Sequence, residues 1–207
     1  MRPGASPPAI PACQPAWGTY TCDVNKAVLV GYLEAMDRAL ESPTVLYIYG
    51  SAACILLDEP ERASLDIDVA GPYSQADEAD LRRAAERAGL PVNPGEDYGG
   101  DHIEWIGPLR LCLQPPVEGT GMTLWQGARL CIRTGPVADL VASKLIRYDA
   151  VDRSDVQYLI SQARTPFSQI QGAAARLPGA FASDPLVREN LDNLRTDMEM
   201  WGLIGHD

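Results

Sequence analysis

Lysine, histidine and phenylalanine are nearly absent from this 207-residue chain, which has only two of each. Five cysteines include no Cys-x-x-Cys pair, and with only His102 and His206 beside them a structural zinc site has no support. A cysteine nucleophile would likewise want for a histidine base. Cys54, Cys112 and Cys131 sit in apolar runs and are expected as reduced core thiols. No apolar run approaches the roughly 18–20 residues of a membrane helix. The opening MRPGASPPAIPAC has no apolar stretch of the signal-peptide kind, so a cytoplasmic protein is expected. An excess of positive charge is missing too: 28 acidic residues face 17 basic ones, for a net charge of −11. That sign argues against an indiscriminate grip on phosphate backbones, which is driven by cationic neutralisation and counterion release, and leaves only a local basic face for such contacts. What remains is 46% hydrophobic and 22% charged, enough apolar matter for a packed core and against wholesale disorder.

The pattern along the chain predicts an α+β protein in three parts. Residues 1–22 are a proline-rich arm anchored by Trp17 and Tyr20. Residues 23–134 form an α/β core with a mixed sheet, and residues 135–207 a C-terminal helical subdomain. Within the core, Val24, Ala27, Val28, Gly31, Tyr32, Ala35 and Met36 recur at helical spacing behind Asp23 as N-cap. Strands are predicted at 44–49, 65–69, 102–106, 109–113, 122–125 and 130–132, with helices over 52–57 and 77–88. Further helices are predicted over 137–148, 152–163, 167–176 and 186–201.

The chemistry concentrates around Gly50-Ser51 and Asp66-Ile67-Asp68. Two carboxylates at i and i+2 of a strand point to one face and repel each other. Such a pair suits a divalent cation with oxygen ligands, typically Mg²⁺. Gly50 permits close backbone approach, and Ser51 at a turn into a helix offers donors to a phosphate. Taken alone, an Asp-x-Asp is also what a solvated strand face carries. Lys144 stands on a largely apolar helix, and its alternative is an exposed position. Asp152 has the alternative of an N-cap, with Asp155 one turn further on.

Tyr49-Gly50-Ser51 followed by Ser64-Leu65-Asp66-Ile67-Asp68-Val69 resembles the nucleotidyltransferase superfamily with the DNA polymerase β-type fold. Asp139-Leu-Val-Ala-Ser-Lys144-Leu-Ile-Arg147 and Asp152-Arg-Ser-Asp155 are similar to the lysine helix and late acidic helix of its AbiEii/MenT-like branch, which includes toxins of toxin–antitoxin systems. The likeness covers residues 44–163. It implies that Gly50 and Ser51 contact nucleotide phosphates, that Asp66 and Asp68 hold Mg²⁺, that Lys144 approaches the triphosphate, and that Asp152 or Asp155 is the late acid. The implied activity is Mg²⁺-dependent transfer of an NMP from an NTP to an RNA, protein or small-molecule acceptor, with a cognate antitoxin as a further partner. One departure stands out. The family draws a third carboxylate from a later strand, and 109–113 contains none, leaving Glu104 or Asp101 to substitute. Without it, the alternative is a catalytically degenerate member that binds a nucleotide or a partner.

Overall fold

The computed structural model describes residues 25–60, 62–64 and 66–204. The expectations for the proline-rich arm, Trp17, Tyr20, Asp23 and His206 lie outside those residues. The described chain is α+β. It runs α1 (Lys26–Ala39), β1 (Thr44–Tyr47), α2 (Gly50–Leu56), β2 (Asp66–Ala70), a 3-10 turn (Gly71–Tyr73), α3 (Glu78–Ala88), β3 (His102–Ile106), β4 (Met122–Gln126) and β5 (Leu130–Thr134). Helices follow: α4 (Val137–Lys144), α5 (Ala150–Ala163), α6 (Phe167–Ala174), α7 (Gly179–Ala182) and α8 (Pro185–Met200). None of the described helices is long and apolar enough to cross a membrane.

β1 pairs in parallel with β5, which pairs antiparallel with β4, while β2 and β3 form a parallel pair. Just beyond β1, Ile48 bridges antiparallel to Val69, and the Tyr49 amide donates to the Asp68 carbonyl at 3.1 Å. The two sheets therefore meet along one line, and α2 leaves directly from that seam. Leu46, Ile48, Ile103, Leu130 and Ile132 are all at most 2% exposed and form the sheet's share of the core.

Helix α1 forms where the spacing predicts it but buries a different stripe. Leu29, Leu33 and Met36 face inward with the C-cap Leu40, while Val28 is exposed. The spacing i, i+4, i+7, i+11 places the four bulkiest apolar side chains on one face, so burying them removes more surface from water than the smaller residues could. Asn25 caps the helix by accepting from the Val28 amide. Asp37, on the same helix, accepts backbone N–H bonds from Ala128, Arg129 and Leu130 and so closes the β4–β5 turn.

Two predicted elements are corrected. Residues 109–113 are not a strand. The edge of β3 that they would join is already taken: Asn93 donates to the Ile103 carbonyl and Ile103 to that of Pro91. A turn closed by the Arg110 amide on the Gly107 carbonyl begins a loop, whose Leu111 and Leu113 still bury. The helix expected over 137–148 stops at Lys144 because tertiary partners end it. Asn190 of α8 donates to the Leu145 carbonyl, and Tyr148, at φ +53°, sends its hydroxyl to Asp197.

Candidate active site

β2 alternates as the period-two pattern requires: Ile67 and Val69 are buried in the core, and Asp66 and Asp68 share the opposite, half-buried face. Gly50 lies against that face. Its φ is +65°, and a Cβ there would collide with Asp68 Oδ2. The left-handed φ favours glycine, and any side chain there would also have to displace the Asp68 carboxylate. Ser64 steadies the neighbouring acid by donating its hydroxyl to Asp66 Oδ1 at 2.6 Å.

The third carboxylate comes from β3. Parallel pairing sets Glu104 beside Asp68, and the oxygens of Asp66, Asp68 and Glu104 all lie within 4.8 Å of one another. Asp101 is elsewhere, accepting a 2.8 Å bond from the Tyr32 hydroxyl. Sequence alone left these two acids equal; only the strand register separates them. An oxygen-only trio of this spacing fits a hard divalent cation such as Mg²⁺. Burial, then the charges of Asp66 and Glu104, push the Asp68 carboxyl up to about 7. The trio thus resists holding three negative charges by itself, which is the condition a cation relieves.

The far wall is helical. Lys144 ends α4 and is 8% exposed, with Nζ donating to Asp155 Oδ2 at 2.5 Å and Asp152 Oδ1 at 3.2 Å. Burial acts to lower its pKa, yet Cys54, Asp155 and Asp152 together hold it above the ordinary lysine value. Asp152 is not the N-cap of α5; Asp149 is, accepting from the amides of Val151 and Asp152. Asp152 is instead clamped by Arg147 through two bonds of 2.9 and 3.1 Å. Asp155, 1% exposed, sits behind the lysine and 3.1 Å from Arg62 Nε.

Gly50, Ser51, Asp66, Asp68, Lys144 and Asp152 line one cleft of about 320 Å³, and Glu104 stands beside it through its nearness to Asp66 and Asp68. Asp155 is not among its lining residues. The resemblance did not point to Arg62, whose Nη2 donates to Ser51 Oγ at 2.5 Å. With that oxygen accepting from Arg62, the serine's own hydrogen is left to donate into the cleft. α2 has seven residues, so its dipole adds little there and the hydroxyl matters more. Arg110 was also missed, since arginines are scattered through the chain and no pattern marks it out, while Arg147 stood in the lysine-helix motif without a role. Cys112, expected in the core, is half-buried and lines the cleft, while Cys54 is buried as expected.

No protein-family model, curated protein or solved structure matches this chain.

Proposed function

We propose that this chain is a Mg²⁺-dependent nucleotidyltransferase that moves an NMP from an NTP to an acceptor hydroxyl. The observation that carries the reading is the trio Asp66, Asp68 and Glu104, with oxygens within 4.8 Å, two of whose members, Asp66 and Asp68, line one cleft with Ser51 and Lys144. Asp66, Asp68 and Glu104 would hold the cation, which when bound neutralises phosphate charge and acidifies the attacking hydroxyl. The rest is the work of the chain. Gly50 lets the backbone approach, and Ser51 Oγ–H donates to a phosphate oxygen. Lys144, held by Asp155 and Asp152, presents fixed positive charge to the departing phosphates. In the transfer, the acceptor oxygen bonds to the α-phosphorus, the bond to the β-phosphate breaks and pyrophosphate leaves, while the hydroxyl proton passes to a cleft carboxylate. The half-buried setting of the trio strengthens these interactions relative to open water.

The degenerate alternative drew its force from a missing third acid, and Glu104 weakens it. The toxin reading, an RNA or protein acceptor and an antitoxin partner rest on the motif likeness alone. Calorimetric titration with MgCl₂ and each NTP, followed by a radiolabelled NMP-transfer screen, tests the proposal. Asp66→Ala should abolish cation binding and transfer together; cation-independent transfer, or no nucleotide binding by the wild type, would overturn it.

A further inference from the structure

Charge in and around the cleft is unevenly placed. Lys144 is held by Asp152 and Asp155, Arg147 by Asp152 and Asp149, and Arg62 by Asp155 and Ser51. Each of these cations faces a carboxylate outside the trio, and those carboxylates are mostly buried, so leaving them would strand a charge away from water. Arg110 differs. Its Nη2 donates to Glu104 Oε1 at 2.6 Å, so its partner belongs to the trio itself. Arg110 is 71% exposed and Glu104 27%, a setting in which an ion pair is weak and easily exchanged.

The backbone beneath Arg110 is anchored. Its amide closes the turn on the Gly107 carbonyl, Leu111 and Leu113 are buried on either side of Cys112, and the Tyr73 hydroxyl donates to the Leu113 carbonyl at 2.9 Å. Alternation along this segment sends Leu111 and Leu113 to the core and leaves Cys112 lining the cleft, with Arg110 pairing to Glu104. A long, solvated side chain on a pinned backbone can change partner without moving the fold.

Resting on the nucleotidyltransferase reading, we infer that Arg110 is a substrate-phosphate contact beside the cleft, held on Glu104 until a divalent cation takes that carboxylate. A cation at the trio and the guanidinium on Glu104 compete for one oxygen set. The guanidinium, released next to the trio, is then free to take a polyphosphate bound over the cation, which offers the planar, charge-assisted bonds that arginine favours. The exchange would make cation and substrate binding cooperative, because each disfavours the Arg110–Glu104 pair.

The test is calorimetry on wild type and Arg110→Ala, with MnCl₂ alone and then with inorganic triphosphate in saturating MnCl₂, which probes the phosphate chain without any base. Removing the competing charge should tighten Mn²⁺ alone by about threefold. Losing a charge-assisted contact should weaken triphosphate by roughly tenfold. Arg110→Lys should restore part of the triphosphate affinity, and thermal melting should show both variants folded. Unchanged affinities in Arg110→Ala, or Mn²⁺ binding that weakens, would overturn the role of Arg110 while leaving the enzyme reading intact. A wild type that binds neither probe would overturn both.

Discussion

At the scale of single residues, the site is defined by what cannot be substituted. Gly50 is constrained twice, by its left-handed φ and by the nearness of Asp68 Oδ2, so geometry accounts for glycine at this position. Asp68 carries a testable consequence. Its carboxyl is raised from 3.8 to about 7, chiefly by burial and then by Asp66 and Glu104. A group whose pKa is higher folded than unfolded lends stability that is complete below the unfolded value and lost as pH rises through the folded one. The metal-free protein should therefore lose stability between about pH 4 and pH 7, and Asp68→Asn should flatten that slope. Urea melts of both proteins in chelator, across pH 4 to 8, would measure it. Glu59, raised to about 7 by burial and by Asp155, slopes the same way and remains in both proteins, so the difference isolates Asp68.

At the scale of elements, α1 and the 109–113 segment show where periodicity misleads. Small apolar residues surround α1 on several sides, and the spacing alone does not say which face turns inward. The structure chooses Leu29, Leu33, Met36 and Leu40. Leu33→Ala should then cost about 2–5 kcal/mol, as core truncations do, while Val28→Ala should stay within about 0.5 kcal/mol. Equilibrium denaturation of the pair checks it, and equal losses would return the inward face to Val28. Residues 109–113 alternate like a strand because Leu111 and Leu113 do point inward, but a strand also needs a free edge, and Pro91–Asn93 already occupies it. The same segment supplies Cys112 to the cleft and Arg110 to Glu104.

At the scale of the whole molecule, the cleft lies between a sheet-and-α2 wall and a helical wall, and a polar chain ties them. Ser51 accepts from Arg62, Arg62 pairs with Asp155, and Asp155 pairs with Lys144. The Tyr158 hydroxyl adds a second tie by donating to the Leu57 carbonyl at 3.0 Å. Arg62→Ala leaves Asp155 buried with Lys144 but without its second cation. The expected loss is about 2 kcal/mol, the scale of a hydrogen bond to a charged group. Urea unfolding should show it in one transition, since both walls share the core. Nucleotide affinity should fall as well, because Ser51 loses the partner that orients its hydroxyl.

The sequence by itself determined the α+β class, most element positions, and the pairing of Asp66 with Asp68 on one strand face, because these depend on composition and on local periods of 2 and 3.6. It also marked Gly50, Ser51, Lys144 and Asp152, which the fold brings to one cleft. Only the tertiary structure decided between Glu104 and Asp101, since that choice depends on how β3 registers against β2. It alone set Asp155 behind Lys144 and Asp152 in front, and moved the cap of α5 to Asp149. Arg62 and Arg110 gained their partners the same way. Long, flexible cations find carboxylates across the fold, and no local pattern records which ones they meet.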